Sequence, residues 1–304
     1  MPATANAEAW NRSQVRKRLK SPRLIQALRK GALIYRTATA WGRLLPDFLI
    51  IGAHRCGTTS LFSYLAAHPS VFPACTKEVH YFDNSFWKGL HWYRARFPSV
   101  FYRYYVERIR RRDFVTGEAS PYYLLHPLAA QRAAATVPHA QLIAVLRNPI
   151  DRAYSHYQQK MRKGIEPLSF EEAIEREPER LRGEREKILQ NDRYRSRNYA
   201  EYSYLTIGLY MNWLEEWMRF FPKQQLLVLN SEGFYTNPTR VLSLVVEFLG
   251  LEDPPGWHPK EFARYHYYTY PKMRADTRKR LSEYYAPHNQ RLYEFVGTDF
   301  GWER

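Results

Sequence analysis

Short apolar runs alternate along the chain with longer segments in which apolar residues recur every three or four positions. A fully or nearly apolar run of five to seven residues is typical of a buried parallel strand. Such runs occur in FLIIG at 48–52, QLIAVL at 141–146 and QQLLVLN at 224–230, and FVTGEA at 114–119 is predicted to be a further strand. Strands that alternate with helices predict an α/β layer built on a parallel sheet.

Helical segments separate and follow these strands. The periodicity predicts helices at 58–67, 127–136, 149–162, 200–221, 238–250 and 277–296, with a further helix that begins after Ser169. Several of the starts carry capping signals, among them Pro149 at a first helical position and Ser169 with Glu172 as a capping box. The strongly charged stretch 171–198 contains few apolar residues, and we interpret it as a surface excursion.

The N-terminal segment differs from the rest in charge. Residues 1–45 contain ten lysines and arginines against one acid, in a chain of 304 residues with a formal net charge of +16. Apolar residues recur at roughly helical spacing between 19 and 34. This pattern predicts a helix that folds back on the body, lies on a membrane surface or partner, or serves as a targeting presequence. We therefore expect a basic N-terminal helical arm, residues 1–45, followed by one domain, residues 46–304.

Composition excludes several classes of protein. Hydrophobic residues make up 45% of the chain and charged residues 25%, which excludes a mainly disordered chain, a collagen and a coiled coil. The two cysteines, Cys56 and Cys75, exclude a disulfide framework and favour a reducing compartment. No run approaches the roughly 18 apolar residues of a membrane-spanning helix. The positive net charge favours an anionic partner, which its sign alone does not identify.

The segment IIGAHRCGTTSL at 50–61 places a loop between a predicted strand and a predicted helix. Backbone N–H groups of such a loop, with the helix N-terminus, form an anion site. The spacing of Gly52 and Gly57 matches the Walker A loop, but position 58 is threonine where that motif has lysine. The basic residue is Arg55, within the loop. A basic residue at this position in the loop favours binding of a group attached to a single 5′-phosphate over binding of a triphosphate. The simplest alternative is a tight turn that binds no ligand.

A second candidate phosphate site lies in LRNPIDRAYSHY at 146–157. Arg147 ends a predicted strand, and Ser155 lies in the first turns of the next helix. A guanidinium and a hydroxyl can bind the same phosphate, and the planar fork of arginine suits that contact. The alternative is a helix N-terminus that carries ordinary surface charges.

These motifs together resemble a known family. The loop at 50–61 resembles the phosphosulfate loop of sulfotransferases that use 3′-phosphoadenosine 5′-phosphosulfate (PAPS), and the chain resembles the heparan sulfate sulfotransferase-like group, with its bacterial carbohydrate-type relatives. From about residue 46 to the end, the matching segments are TKEVHYFD (76–83), GLHWYRARFP (89–98), GEASPYYLLHP (117–127), LRNPIDRAYSHY (146–157), LYMNWLEEWMRFFP (209–222), YPKM (270–273), YYAPHN (284–289) and GW (301–302). The resemblance implies one P-loop-like α/β domain, with a central parallel sheet flanked by helices.

The resemblance also implies roles for individual residues. Glu78 is the implied general base, and Arg55 contacts the sulfonate and the bridging oxygen. His80 orients Glu78, replaces it as the base, or is simply a packed histidine. In a strand, Glu78 and His80 would share one face. The implied donor-binding residues are Arg55, Cys56, Gly57, Thr58, Thr59, Ser60, Arg147, Ser155, Tyr210, Tyr268, Thr269, Tyr270 and Lys272. The alternative to donor binding is that Cys56 only fills space and that Tyr210 faces the core.

Two positions depart from the family's animal members. The stretch HYYTYP at 266–271 lacks their Lys-Gly-Arg, so backbone amides of 268–270, Lys272 or Arg274 are expected to substitute. Ala119 stands where members acting on uronic acid-bearing chains tend to have lysine, which weakens the case for a heparan sulfate acceptor.

The expected function is transfer of a sulfonate from PAPS, with PAP as the product and without a metal ion. The expected acceptor is a hydroxyl or amine of a carbohydrate, glycolipid or other small molecule. The alternatives are a P-loop nucleotide kinase, disfavoured by the missing Walker lysine, and a basic nucleic-acid-binding protein, disfavoured because the charge is concentrated in the arm. We expect no nucleic-acid partner and a cytoplasmic enzyme, with residues 1–45 contacting anionic lipid at the inner face of the membrane.

Overall fold

The computed structural model describes residues 22–257, 262 and 268–303, with side chains described at residue 28 and from residue 31 onward in these ranges. In this part of the chain, a sheet of four parallel strands has the order β2-β1-β3-β4. The strands are β1 (Phe48–Gly52), β2 (Gly117–Ala119), β3 (Gln141–Leu146) and β4 (Leu226–Asn230). Helices flank the sheet, which confirms the predicted α/β fold with a central parallel sheet.

The described residues form thirteen α-helices. They are α1 (Pro22–Ala38), α2 (Thr58–Leu65), α3 (Gly89–Arg94), α4 (Val100–Tyr104), α5 (Ala129–Thr136), α6 (Pro149–Arg162), α7 (Phe170–Leu181), α8 (Glu184–Gln190), α9 (Arg197–Tyr202), α10 (Tyr210–Met218), α11 (Ser231–Thr236), α12 (Pro238–Phe248) and α13 (Ala275–Val296). Short 3₁₀ turns lie at Ala40–Gly42, Phe86–Lys88, Thr206–Gly208 and Lys223–Gln225, and π-helical turns at Tyr81–Ser85 and Tyr105–Ile109. None of the described helices is long and apolar enough to cross a membrane.

The two central strands form the middle of the core. Every residue of β1 is buried, as are five of the six residues of β3, which explains why both read as apolar runs. Because the strands are parallel, the loops that follow β1, β3 and β4 emerge at the same edge. The segment 71–78 runs beside β2: Val71 bridges Val115, and the backbone N–H of Glu78 donates to Ala119 O at 3.0 Å. Glu78 therefore reaches that same edge.

The predicted continuous helix at 200–221 is interrupted. α9 ends at Tyr202, a 3₁₀ turn follows at Thr206–Gly208, and α10 begins at Tyr210. The buried carboxylate of Glu177 accepts the backbone N–H groups of Leu205 and Thr206, at 2.6 and 2.8 Å. These two bonds from α7 satisfy backbone N–H groups that would bond within the helix if it were continuous. The prediction of one helix over 200–221 was therefore wrong at this point.

The charged stretch 171–198 lies mostly in two helices, α7 and α8, the first of which begins after Ser169 as predicted. Their sequence is polar because only one narrow side of each contacts the body. On α7 that side includes Phe170, Ala173 and Ile174, and on α8 it includes Ile188, all of which are buried.

The described end of the basic arm contacts the body. Arg36 donates through Nε to Ala95 O and through Nη2 to Phe97 O, both at 2.7 Å, and Arg43 donates to Phe97 O at 3.1 Å. Residues 1–21 lie outside the described residues. The boundary between arm and domain at 45/46 stays a prediction.

Candidate functional site

An open cleft of about 630 Å³ lies at the carboxyl edge of the sheet, where α/β proteins usually bind ligands. Arg55, Arg147 and Ser231, which follow β1, β3 and β4, all line it. The complete described lining is His54, Arg55, Gly57, Thr58, Thr59, Glu78, Pro121, Arg147, Asp151, Ser155, Gln159, Lys160, Lys163, Ser231, Glu232, Tyr235, Thr236, Tyr268 and Tyr270. The cleft therefore joins both predicted phosphate motifs to the predicted base.

The loop after β1 forms the floor of the cleft. Gly57 has φ +94° and precedes the first turn of α2, and a Cβ at this position would lie 2.8 Å from the hydroxyl of Tyr235. Glycine is required here because other residues rarely adopt this conformation. Thr58 and Thr59 place their side chains at the N-terminus of α2, where the helix dipole and backbone N–H groups favour an anion.

Two predicted loop residues point elsewhere. The side chain of Ser60 is buried, with its hydroxyl 3.3 Å from the hydroxyl of Tyr235. Cys56 is fully buried, and burial raises the pKa of its thiol to about 11. A protonated, buried thiol agrees with the space-filling alternative, and neither side chain lines the cleft.

The predicted ligands of the two phosphate groups meet inside the cleft. Arg55 has a left-handed backbone, with φ 71°, and its guanidinium donates through Nε and Nη2 to Ser155 Oγ at 3.1 and 3.0 Å. Arg147 lines the same cleft, and Tyr270 together with Asp151 raises its pKa against the opposing effect of burial. Among the described residues, neither arginine forms an ion pair with a carboxylate. Their charges are therefore available to an anionic ligand.

The two other acids of the cleft wall are engaged with partners. Glu232 accepts the backbone N–H of Asn148 at 2.9 Å and the indole N–H of Trp302 at 3.2 Å. Asp151 pairs with Arg278. The described cleft wall contains four lysines and arginines against three acids, one of which is paired with Arg278, so positive charge is in excess beside the loop.

The predicted catalytic segment forms a chain of charged side chains. The ammonium of Lys77 donates to Glu78 Oε1 at 2.5 Å, and Glu78 Oε2 lies 3.5 Å from His80 Nε2. The other ring nitrogen of His80, Nδ1, lies 2.6 Å from Oδ2 of the buried Asp83. The carboxylate of Glu78 thus has a cation on each side.

These contacts fix the charge states of the segment. The hydrogen bond with His80, with help from Lys77, lowers the pKa of Glu78 to about 2. Burial opposes the charge on His80, but the bonds to Asp83 and Glu78 dominate and raise its pKa to about 10. At neutral pH, Glu78 is a carboxylate and His80 an imidazolium. A proton acceptor must be unprotonated, so Glu78 fits the role of base better than His80.

The segment is not the strand that the sequence analysis assumed. Glu78 and His80 are both left-handed, with φ 58° and 53°, and the π-helical turn Tyr81–Ser85 follows. A left-handed non-glycine residue costs about 1–2 kcal/mol, so other contacts must hold this backbone. The two side chains meet nonetheless, through a bend instead of a shared strand face.

A buried carboxylate below the segment supplies those contacts. Glu118, fully buried in β2, accepts the hydroxyls of Tyr93, Ser120 and Tyr123 at 2.7–2.9 Å, and burial raises its pKa. Ser120 Oγ in turn accepts the N–H of His80 at 3.1 Å, and the hydroxyl of Tyr123 accepts the N–H of Tyr81 at 2.8 Å. Glu118 thus orients two hydroxyls that bind the backbone of the catalytic segment.

The remaining predicted residues divide between the cleft and the core. Tyr268 and Tyr270 line the cleft, whereas Thr269 and Lys272 are not part of its wall. Tyr210 is buried; its hydroxyl donates to Arg147 O at 2.7 Å and lies 3.8 Å from the sulfur of Cys56. It therefore supports the backbone of Arg147 from the core side. Residues 266 and 267 of the C-terminal stretch lie outside the described residues.

Several cleft residues were not predicted, although helical spacing could have indicated them. Gln159 and Lys163 follow Ser155 at intervals of four residues, so all three share one face at α6, and Lys160 also lines the cleft. Asp83, three residues after His80, carried no distinctive signal before its bond to the imidazole was seen.

Comparisons with known proteins agree with this geometry. Residues 45–296 match the family model of the sulfotransferase domain. Heparan sulfate glucosamine 3-O-sulfotransferase 3B1 of Mus musculus is 29% identical over 293 residues, which cover 87% of this chain and 66% of that protein. Bifunctional heparan sulfate N-deacetylase/N-sulfotransferase 3 of Homo sapiens is 31% identical over 83% of this chain and 30% of its own length.

A solved structure is also similar over most of the chain. The sulfotransferase from Alicyclobacillus acidocaldarius superposes with a TM-score of 0.64 and 30% identity, covering 86% of this chain and all of that one. The chain spans slightly less than two thirds of the 3-O-sulfotransferase. The family prediction is thereby confirmed, and none of these matches supports the kinase alternative. By the match over residues 45–296, this chain belongs to the sulfotransferase domain family.

Proposed function

We propose that this protein transfers a sulfonate group from PAPS to a hydroxyl or amine of a carbohydrate or glycolipid. The observation that carries the proposal is the single cleft that contains the loop after β1, the Arg147–Ser155 motif and Glu78. Its volume of about 630 Å³ lies within the range of small-molecule sites, roughly 300–1,000 Å³.

The donor is proposed to bind across the two motifs. Its 5′-phosphosulfate lies against the backbone N–H groups of the loop and the N-terminus of α2, where Thr58 and Thr59 add hydroxyls. Its 3′-phosphate lies against Arg147 and Ser155, which gives charge-assisted hydrogen bonds that a nucleotide without this phosphate cannot make. In this arrangement Arg55, which contacts Ser155 in the structure, is within reach of the donor.

The proposed reaction is an in-line displacement at sulfur. The acceptor oxygen or nitrogen forms a bond to sulfur while the bond between sulfur and the bridging oxygen of the phosphosulfate breaks. The acceptor proton passes to the carboxylate of Glu78, and the electron pair of the broken bond leaves with PAP. Negative charge grows on the bridging oxygen, and the permanent charge of Arg55 stabilises it. Arginine supplies this charge, so the proposal includes no metal ion.

Lys77 and His80 adjust the strength of the base. With a pKa of about 2, Glu78 is a weak proton acceptor while both cations hold it. An acceptor hydroxyl that replaces Lys77 at Oε1 removes one of the two cations, which raises the pKa of Glu78 as the reaction begins. His80, held by Asp83, keeps the carboxylate oriented.

A carbohydrate acceptor is supported by the relatives, whose names specify heparan sulfate. We further propose that the enzyme is cytoplasmic and that the basic arm at 1–45 contacts anionic lipid at the inner face of the membrane. The support is the charge of the arm, ten basic residues against one acid.

Donor binding and transfer are tested together. We expect calorimetry to show PAP binding without Mg²⁺ and much weaker binding of ATP. We expect ³⁵S-labelled PAPS to label a carbohydrate or glycolipid fraction with the wild-type enzyme and not with Glu78→Gln. Glu175→Gln, which changes an exposed carboxylate of α7 away from the cleft, is the matched control and should retain full activity. Mg²⁺-dependent ATP binding as tight as that of PAP would contradict the proposal.

A further inference from the structure

A second cavity, of about 1020 Å³, lies between the C-terminal end of α1 and the segment 71–77. Aromatic and apolar side chains form most of its wall, among them Tyr35, Trp41, Phe72, Phe101 and Tyr102. Phe101 is 75% exposed and Trp41 is 70% exposed. Large aromatic side chains grouped at an open cavity mark a surface that binds an apolar partner.

This cavity adjoins the proposed reaction site through one side chain. Lys77 lines the cavity, and its ammonium donates to Glu78 Oε1, which lies in the other cleft. A molecule in the second cavity that extends past Lys77 therefore arrives at the carboxylate of Glu78. The two cavities stand on either side of that residue, one with the phosphate motifs and the other with the aromatic wall.

The charged side chains that line the second cavity are all positive in the described part of the chain. Its described lining contains Arg36, Arg43 and Lys77 but no aspartate or glutamate. Arg36 donates to backbone carbonyls, and Arg43 donates to backbone carbonyls and to the hydroxyl of Thr39. Neither arginine is paired with a carboxylate in the part of the chain that the structure describes. An apolar wall beside cations that have no carboxylate partner is complementary to an amphiphile, whose hydrocarbon contacts the wall and whose anionic group contacts the cations.

We propose that the second cavity binds the apolar part of the acceptor, and that the acceptor is an anionic amphiphile whose reactive group passes Lys77 to reach Glu78. This inference rests on the proposed sulfonate transfer and specifies the substrate class for it. The hydrocarbon lies against the aromatic wall, and the anionic group lies near Arg36 and Arg43. A glycan without a hydrocarbon portion lacks the first of these contacts.

The test measures binding of simple amphiphiles to the full chain saturated with PAP, so that the phosphate motifs are occupied. The probes are octyl phosphate, decyl phosphate, decyltrimethylammonium and inorganic phosphate, each titrated by calorimetry below its micelle concentration. One buried CH₂ corresponds to about a fourfold change in Kd, and the two chains differ by two CH₂ groups, so we expect decyl phosphate to bind roughly fifteenfold tighter than octyl phosphate. We expect one site per chain, and no binding of the cationic amphiphile or of inorganic phosphate.

Two variants locate the binding. Phe101→Ser removes an exposed part of the wall, and Gly42→Phe adds a side chain into the cavity at a position where a Cβ meets nothing within 4 Å. Each is expected to raise the Kd of decyl phosphate at least fivefold. Phe220→Ser, which alters a phenylalanine that is 45% exposed and outside both cavities, is the matched control and should leave that Kd unchanged.

Equal Kd values for decyl phosphate in Phe101→Ser, Phe220→Ser and the wild type would overturn the inference. So would equally tight binding of decyltrimethylammonium, or no dependence on chain length. The Kd of PAP, measured on the same preparations, separates this inference from the proposed function. If PAP binds and decyl phosphate does not, only the acceptor class is wrong; if PAP itself does not bind, the sulfonate-transfer proposal fails.

Discussion

Replacing Tyr123 by phenylalanine should loosen the segment that carries Glu78, whereas the same change at Tyr93 should not. Both tyrosines are fully buried, and their hydroxyls donate to Glu118 Oε1 at 2.9 and 2.8 Å. Only Tyr123 also accepts backbone N–H groups from the segment, those of Tyr81 at 2.8 Å and Phe82 at 3.4 Å. The two variants therefore remove the same chemical group from the same carboxylate and differ in these two backbone contacts.

The magnitudes follow from the hydrogen bonds that each variant loses. Either variant loses a hydroxyl bond to a buried carboxyl group, roughly 1–3 kcal/mol of unfolding free energy. Tyr123→Phe also leaves the buried N–H of Tyr81 without its acceptor, a further cost of about 1–3 kcal/mol. Because Glu78 and His80 have strained backbones just before this amide, we expect the segment to shift. A displacement near 1 Å can reduce a rate about a hundredfold.

The assay combines stability with kinetics. Urea denaturation should show Tyr123→Phe to be the less stable variant, by about 1–3 kcal/mol. In ³⁵S transfer at saturating PAPS, kcat should fall at least tenfold in Tyr123→Phe and remain within about twofold of wild type in Tyr93→Phe, with the Kd of PAP unchanged in both. Equal kcat in the two variants would refute the idea that the Glu118 network positions the catalytic segment.

Other perturbations test the remaining parts of the site. Glu78→Gln should lower kcat by roughly 10²–10⁴ without a change in the Kd of PAP by calorimetry, as loss of a general base requires. Arg147→Ala should weaken PAP roughly 10- to 100-fold in that titration and hardly affect adenosine 5′-phosphosulfate, which has no 3′-phosphate. The pKa of His80 is raised from 6.5 to about 10, so its charge stabilises the fold at neutral pH and that contribution disappears as the pH rises through 10. His80→Gln should therefore lower the urea midpoint at pH 7 and lose that effect near pH 11. Gly57→Ala, at φ +94°, should cost about 1–3 kcal/mol in urea denaturation, whereas Gly42→Ala should cost little.

The strands were predictable because burial on both faces of a parallel sheet leaves a continuous apolar run. The runs at 48–52 and 141–146 coincide with β1 and β3 to the residue, and the run at 224–230 contains β4. The loop after β1 was equally predictable, because its glycines have a fixed spacing and Gly57 has a conformation that other residues avoid.

The backbone conformation of the catalytic segment could not be predicted from the sequence pattern. Glu78 and His80 are left-handed without being glycine, which no local propensity predicts. Their backbone depends on hydroxyls at Ser120 and Tyr123, more than 35 residues away along the chain. The break after α9 has the same cause, because the acceptor that replaces helical bonding is Glu177 on another helix. At both places, contacts between residues distant in the sequence therefore determine a backbone conformation that the local sequence does not.

The structure of the complex with PAP tests the central claim most directly. We predict the 5′-phosphate within hydrogen-bond distance of the backbone N–H groups at 55–59, the 3′-phosphate on Arg147 and Ser155, and the 5′ end facing Glu78. A nucleotide bound outside this cleft, or one whose 5′-phosphate faces away from Glu78, would contradict the proposed sulfonate transfer.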